Sequence, residues 1–185
     1  MTITIIYAHP YDKSFNHAIF EKKIAKLKSD SKVNTIDLYK DGFDPTYSER
    51  ELSLFKNGET SDTQVSEYQK MIKESTKLIF VFPIWWNDLP AMLKGFVDKV
   101  FKMNFSYVDT PRGVKGKLNN IQSAEIITTS KSPTWYIKLF AGNAIRNVFI
   151  KATLKQVGIK HVSWKNFGQI SKSQSKERED FLNDL

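Results

Sequence analysis

Two adjacent tryptophans, Trp85 and Trp86, are the most conspicuous candidates for chemistry in the sequence. They stand in the segment Pro83-Ile84-Trp85-Trp86-Asn87, directly after an apolar run. Paired indole rings offer a flat heteroaromatic ligand a large contact area, and the backbone N–H and C=O groups of the segment can bind the polar edge of such a ring. The alternative is that both rings pack beneath a neighbouring helix.

A second candidate segment runs from His9 to Asn16, between a β-branched run and a helical pattern. The start of a helix carries unpaired N–H groups and positive dipole potential, which favour a phosphate group. His9, Ser14 and Asn16 add side-chain hydrogen bonds, and Phe15 lies between the last two. The alternative is ordinary helix capping by Ser14 within a polar turn.

A third polar segment follows another apolar run and contains Thr128, Thr129, Ser130 and Lys131. Its hydroxyls and backbone donors are suited to the polar edge of a ligand, and the phenol of Tyr136 supplies one more donor. Turn chemistry without a ligand is the alternative explanation for such a serine- and threonine-rich segment.

The absence of cysteine narrows the possible chemistry. The 185 residues include no cysteine and only three histidines. A thiolate nucleophile, a disulfide framework, and thiolate-held zinc or iron–sulfur clusters are therefore excluded. No clustered set of His, Asp and Glu predicts a metal site. Catalysis would have to depend on a cofactor, a hydroxyl, a carboxylate or a histidine.

Strand-like and helix-like patterns alternate along the chain, as expected for a parallel sheet covered on both faces. The predicted strand Lys77–Pro83 contains the continuous apolar run Leu-Ile-Phe-Val-Phe, which is typical of a strand buried on both sides. Helical spacing appears over Phe15–Leu27, Thr63–Ser75, Leu93–Phe101 and Ile145–Ala152, the last closed at Gly158. The predicted strands are Thr2–Ala8, Lys32–Leu38, Lys77–Pro83, Ser123–Thr128 and Ile159–Trp164.

This α/β architecture predicts where the three candidate segments meet. Ligands of open parallel sheets bind beyond the carboxyl ends of the strands, where the strand order reverses. The loops His9–Ser14, Pro83–Asp88 and Thr128–Tyr136 all follow predicted strands. We expect one domain over residues 1–170 and a C-terminal extension over residues 171–185.

The charge is strongly biased towards the second half of the chain. The formal net charge is +8, and residues 94–165 contain thirteen basic and three acidic side chains. This bias is consistent either with an anionic partner or with a solvated, lysine-rich surface. No nucleic-acid motif is present, so no nucleic-acid partner is expected. Neither a targeting segment nor a spanning segment is visible, so we expect a cytoplasmic protein without membrane insertion.

Common nucleotide-binding and hydrolase signatures are missing. There is no G-x-G-x-x-G, no Walker A sequence and no G-x-S-x-G. The segments 80–87 and 89–96 instead resemble the flavin loop and following helix of the NAD(P)H:quinone oxidoreductases. The continuation 97–101 and Phe105-Ser106-Tyr107 are similar to that family as well. The segment from His9 to Asn16 resembles the flavin phosphate site of that family, and Thr128, Thr129 and Tyr136 resemble its ring-contacting loop.

The resemblance implies a flavodoxin-like fold with a five-stranded parallel sheet, non-covalent FMN or FAD, and a homodimer. In such enzymes NAD(P)H gives a hydride to the flavin and a quinone then enters the same pocket, a ping-pong order. Ile84 to Asn87 would hold the ring, with Tyr136 as the catalytic group beside it. Tyr107 and Phe105 would line the acceptor pocket, Tyr107 from the partner subunit.

Two departures from the family pattern are specific to this chain. Ser130-Lys131 stands where well-studied members have a glycine pair, and Gly142 stands where they carry a relay histidine. Lys131 either substitutes as a cation beside the flavin or points into solvent. Three other functions remain open, namely an azo- or nitroreductase, a regulatory flavoprotein subunit of a transporter, and a one-electron carrier. Carriers of that kind are acidic, whereas this chain is basic.

Overall fold

Five parallel strands and helices on both sides of them make up the computed structural model, which describes residues 1–185. The strands are β1 (Thr2–Tyr7), β2 (Lys32–Asp37), β3 (Lys77–Pro83), β6 (Ser123–Thr129) and β7 (His161–Phe167), with a separate hairpin of β4 (Tyr107–Thr110) and β5 (Gly113–Gly116). The helices are α1 (Phe15–Leu27), α2 (Glu49–Ser53), α3 (Thr63–Glu74), α4 (Ala91–Val100), α5 (Thr134–Leu139), a π-helix (Ile145–Leu154) and α6 (Ser175–Asn183). Two short 3₁₀ turns cover Phe55–Asn57 and Ile170–Lys172.

The order across the sheet is β2-β1-β3-β6-β7, and every pair is parallel, which confirms the predicted architecture.

The central strand β3 explains why both faces need helices. Successive side chains of a strand face opposite sides. Leu78 and Phe80 therefore join the larger of two hydrophobic clusters, while Ile79 and Val81 join the smaller. Helices α3, α4 and the π-helix cover the first cluster, and α1 and α6 cover the second. No helix is both long and apolar enough to span a bilayer.

Several boundaries differ from the sequence-based prediction. The last strand begins at His161 and not at Ile159, because the Ile159 N–H bonds back to the Leu154 carbonyl at 3.0 Å and closes the preceding helix. The hairpin β4–β5 was not predicted. Helix α5 starts inside the predicted loop Thr128–Tyr136, directly after Pro133, whose fixed φ favours a helix start.

The C-terminal residues lie against the second cluster. Phe181 and Leu182 of α6 pack against its apolar side chains, and the terminal Leu185 is buried. The Lys23 ammonium group donates a hydrogen bond of 3.1 Å to the Leu185 carbonyl. These contacts join α6 to α1, while the division at residue 170 stays a prediction.

A buried charge network fixes the segment between β2 and α3. Glu51 and Lys102 are buried and form an ion pair, and Glu51 also accepts hydrogen bonds from Thr60 and Ser61. Burial by itself would raise the pKa of Glu51, but these four donated bonds outweigh it and lower the pKa to about 2. We call these four residues the Glu51 network.

Candidate active site

A cavity of about 810 Å³ opens at the carboxyl ends of β1, β3 and β6. The chain leaves β1 for β2 on one side and crosses to β3 on the other, so the strand order reverses here. A cavity of this size at a switch point is the usual ligand site of a doubly wound sheet. Thirteen of the sixteen predicted site residues line it, namely His9, Ser14, Phe15, Asn16, Pro83, Ile84, Trp85, Trp86, Asn87, Thr129, Ser130, Lys131 and Tyr136.

The first wall of the cavity is the start of α1. Ser14 caps the helix in an extended conformation, and its hydroxyl accepts the His17 N–H at 3.1 Å. The first turn carries no acidic side chain that would repel an anion. Helix capping by Ser14 and anion binding at the helix start are therefore compatible. Ser14 caps the helix, and the remaining first-turn N–H groups still face the cavity end.

His9 stands beside this wall as a neutral donor. Its Nδ1 accepts the Tyr11 N–H at 3.1 Å, so the neutral ring carries its proton on Nε2. Burial lowers the pKa of His9 and favours this neutral form. The Nε2–H group is then available to an acceptor.

Asn16 carries the clearest unsatisfied group of the site. Its amide nitrogen donates to the Thr129 hydroxyl at 2.8 Å, which ties the first loop to the third. The residue is only 4% exposed, and its amide oxygen has no hydrogen-bond partner in the chain. A buried acceptor without a partner costs free energy, so this oxygen is a locally destabilising feature beside the cavity.

The second wall is a tight turn over Trp85–Asp88. The N–H and C=O groups of Trp85 and Asp88 bond to each other at 3.1 and 3.0 Å. Trp86 and Asn87 both have positive φ, 49° and 66°, as in a type I′ turn. A tryptophan rarely adopts this conformation, which costs free energy and is typical of functional sites. The N–H groups of Trp86 and Asn87 make no hydrogen bond within the chain.

The two indole rings remain available for contact. Trp86 is 98% exposed and Trp85 41%. The alternative in which both rings pack beneath a helix therefore fails for Trp86. Trp85 lies 6.0 Å from the His9 ring, so the first and second walls meet at this point.

The third wall is held in place by Asn166 of β7. The Asn166 amide accepts from Thr128 at 2.7 Å and donates to the hydroxyls of Ser130 and Thr134 at 3.0 and 2.8 Å. The Thr129 carbonyl accepts the N–H of Ile84 at 2.8 Å and joins this wall to the second. Asn166 positions the wall without lining the cavity.

Three predicted site residues lie elsewhere. Thr128 is fully buried and faces the other side of β6, where its hydroxyl binds Asn166 and the Trp164 indole N–H. Phe105 is 6% exposed within the larger hydrophobic cluster, so its ring has no free face for a substrate. Tyr107 lines a second cavity of about 510 Å³. In this single chain, none of the three contacts the first cavity.

Lys131 and Tyr136 stand at the cavity mouth. Lys131 forms no ion pair, so its positive charge is free. The Tyr136 ring is 42% exposed and stacks on Phe140, with ring centres 6.1 Å apart. Gly142 follows in a left-handed turn, with φ of 72°.

The sequence-based prediction missed four residues that shape the site. Ser132, Ile137 and Ile170 line the cavity, and Asn166 supports it. For Asn166 a signal was available, since asparagine is depleted in strand interiors and its presence there suggests a specific hydrogen-bonding role. Ile170 enters from the far end of the sequence, and no local pattern marks it.

Comparisons with known proteins agree with this geometry. A protein family described as having a flavodoxin-like fold matches residues 1–185. An NAD(P)H oxidoreductase of Haemophilus influenzae, itself uncharacterised, is 29% identical over 185 residues, which cover 98% of this chain and 91% of the relative. NAD(P)H dehydrogenase [quinone] 1 of Cavia porcellus is 32% identical over 150 residues, covering 71% of this chain and 54% of that enzyme. The match thus spans about half the length of the guinea-pig enzyme.

Solved structures extend the similarity to the whole chain. Smu.1420 from Streptococcus mutans is 33% identical with a TM-score of 0.85, and the match covers 100% of this chain and 96% of that one. An NAD(P)H:quinone oxidoreductase from Methanothermobacter marburgensis is 26% identical with a TM-score of 0.87, covering 100% and 94%.

Fold and site together define a flavodoxin-like protein with a ligand cavity at its switch point. The chain belongs to the flavodoxin-like family that includes NAD(P)H oxidoreductases and quinone reductases, as the sequence resemblance predicted.

Proposed function

We propose that this chain is a flavin-dependent NAD(P)H oxidoreductase that reduces quinone-like acceptors. The observation that carries the proposal is the cavity itself, which combines an anion-binding helix start with two available indole rings. A bound flavin supplies a ring that accepts a hydride from NAD(P)H and passes it to a two-electron acceptor.

The start of α1 fits the phosphate end of such a cofactor. First-turn N–H groups, the hydroxyl of Ser14 and the neutral Nε2–H of His9 are all donors, as a phosphate requires. Asn16 lines the same end of the cavity and holds the first loop to Thr129.

The turn Trp85–Asp88 and the third wall fit the ring end. The indoles of Trp85 and Trp86 supply apolar contact, and the free N–H groups of Trp86 and Asn87 face the polar edge of a ring. The charge of Lys131 and the phenol of Tyr136 favour negative charge that develops on the bound ring. These residues hold and polarise the cofactor, while the open mouth admits donor and acceptor in turn.

The direct test is to identify the cofactor. Purified protein should be yellow and release FMN or FAD on denaturation. NADPH or NADH should bleach the absorbance, and a quinone should restore it. Parallel lines in double-reciprocal plots would support the ping-pong order. A colourless protein that takes up neither FMN nor FAD would overturn the proposal.

A matched pair of aromatic variants tests the site. Trp85→Ala should weaken flavin binding, measured by fluorescence quenching, because it removes a wall of the cavity. Tyr11→Ala is the control, since Tyr11 is 57% exposed and does not line the cavity. Equal flavin affinity in the two variants would count against the ring position proposed above.

Homodimerisation belongs to the same proposal. Trp135, Leu139, Phe140 and Val148 are all more than half exposed, so apolar surface next to the cavity is uncovered in a single chain. In a dimer Tyr107 would line the cavity of the partner. Light scattering after size exclusion measures the mass, and a monomer at micromolar concentration would refute this part.

Azo or nitro compounds are the alternative acceptors. An FMN-dependent NADH-azoreductase from Bacillus anthracis has a TM-score of 0.77 at 19% identity, which establishes a common fold only. The same cavity would serve either acceptor class. Turnover with a quinone, an azo dye and a nitroaromatic compound, compared at equal flavin content, decides between them.

A further inference from the structure

A further polar pocket lies at the β7 edge of the sheet, and none of its lining residues lines the cavity at the switch point. Its volume is about 320 Å³. Four cations from two helical segments line it, Lys138 of α5 and Arg146, Lys151 and Lys155 of the π-helix and the turn after it. We call it the basic pocket.

No carboxylate neutralises any of the four cations. None of these side chains takes part in an ion pair or donates a hydrogen bond to another residue. The sequence offers no nearby partner either, since residues 126–176 contain nine Lys or Arg and no Asp or Glu. All four side chains are exposed, so solvent and salt screen their mutual repulsion, but the uncompensated positive charge still favours an anion in the pocket.

The π-helix gathers three of the cations on one side. Its hydrogen bonds run from residue i to i+5, as seen where the Lys155 N–H bonds to the Ile150 carbonyl at 3.0 Å. Residues five apart, such as Arg146 and Lys151, therefore lie closer above one another than they would in an α-helix. Long π-helices are rare and frequently occur at functional sites.

The floor of the basic pocket is apolar and aromatic. Val162 and Trp164 project from the edge strand β7, and Ile150 packs beside them. The Lys138 ammonium group lies 5.4 Å from the centre of the Trp164 ring. This contact holds one cation above the floor, and the other three cations line the same pocket.

We infer that the basic pocket binds a phosphate group carrying at least two negative charges, borne by a soluble nucleotide or by a lipid headgroup. Arginine and lysine together supply bidentate and point-charge contacts to phosphate oxygens. The basic pocket is separate from the proposed flavin cavity, because the two share no lining residue, and Trp164 in its floor donates a hydrogen bond to Thr128 behind the third wall.

Inorganic pyrophosphate is the probe for the shared chemistry. Isothermal titration of the isolated protein with its cofactor, at low ionic strength, should give binding that weakens steeply as salt is added. Lys151→Gln/Lys155→Gln should bind about tenfold more weakly, since two charge-assisted contacts are lost from a partly open pocket. The matched control is Lys28→Gln/Lys70→Gln, two exposed lysines outside the pocket with the same change in net charge.

Lys138→Gln/Arg146→Gln removes the other two cations and provides an independent comparison. It should weaken pyrophosphate binding as well. Absence of pyrophosphate binding, or equal affinity in the pocket and control variants, overturns the inference.

Two further experiments distinguish a soluble nucleotide from a lipid headgroup as the source of the phosphate. ADP binding that is lost in Lys151→Gln/Lys155→Gln and kept in the control supports a nucleotide. Sedimentation with phosphatidic acid vesicles, but not with phosphatidylcholine vesicles, that follows the same pattern supports a headgroup. Vesicle sedimentation that falls equally in pocket and control variants reflects the overall charge and counts against a lipid ligand in this pocket.

Discussion

The Glu51 network and the cavity at the switch point differ in whether their buried polar groups have hydrogen-bond partners. In the network every buried charge has partners, and Glu51 alone accepts bonds from Lys102, Thr60 and Ser61. In the cavity Asn16 retains a buried oxygen without a partner, and Trp86 adopts a left-handed conformation with its ring in solvent.

The contrast separates stability from function in one chain. Burying a charge is tolerated only when it is paired, so removing one partner from the network destabilises the folded chain. Unpaired polar atoms and backbone strain lower stability, and they persist where a ligand compensates for them. Substitutions in the network should therefore affect the free energy of unfolding, and substitutions in the cavity wall should affect ligand affinity.

The largest expected effect is on the network. Lys102→Met leaves Glu51 buried without its counter-charge and should lower the free energy of unfolding by about 3–5 kcal/mol. Urea unfolding followed by circular dichroism measures it. The control is Lys94→Met, which removes the exposed Lys94–Asp98 pair and should cost less than about 1 kcal/mol. Similar losses in both variants would show that burial does not make the Glu51 network more important for stability than an exposed ion pair.

The pH dependence of stability tests the contribution of the ionised Glu51 carboxylate directly. The folded-state pKa of Glu51, about 2, lies below its ordinary value of 4.5. Its contribution is complete above the ordinary value and is lost as the pH falls towards about 2, roughly 3 kcal/mol in total. The difference in unfolding free energy between wild type and Glu51→Gln should therefore narrow on acidification. A constant difference from about pH 6 to about pH 3 would contradict this assignment.

Asn166 lies between the two extremes, because it is fully bonded yet supports the cavity. Asn166→Ala removes bonds to Thr128, Ser130 and Thr134 and should cost about 1–3 kcal/mol of stability. Flavin affinity should fall as well, since the third wall loses its support. Asn34→Ala is the comparison, since Asn34 makes one long bond of 3.5 Å. If Asn166→Ala lowers stability and leaves flavin affinity intact, its role is structural only.

The smallest expected effect is an increase, and not a decrease, in the free energy of unfolding. Trp86→Gly should raise the free energy of unfolding by about 1 kcal/mol relative to Trp86→Ala, since glycine adopts the positive φ without steric cost. Both variants lack the indole and should bind flavin more weakly than wild type. Thermal unfolding and flavin titration measure the two effects. A Gly variant less stable than the Ala variant would show that Trp86 is not strained.

Strand periodicity made most of the site predictable. The apolar run of β3 and the polar residues after β1, β3 and β6 were sufficient to predict the three walls. Thr128 was assigned to the cavity with Thr129, but adjacent strand residues face opposite sides, so only Thr129 lines it. Phe105 resembled a family position, yet the hydrophobic cluster buries its ring.

What the sequence determined by itself was local. The spacing of apolar residues specified strands and helices, the absence of cysteine limited the chemistry, and the segment around Trp85 and Trp86 indicated the family. These properties depend on neighbours along the chain, which the sequence displays directly.

What the tertiary structure decided was which distant groups meet. The bond of Asn16 to Thr129 spans 113 positions, and Asn166 reaches back from β7 to the end of β6. Strand order and side-chain direction bring these groups together, and neither follows from local pattern. The free cations of the basic pocket have the same origin, since the π-helix and α5 align charges that stand well apart in the sequence.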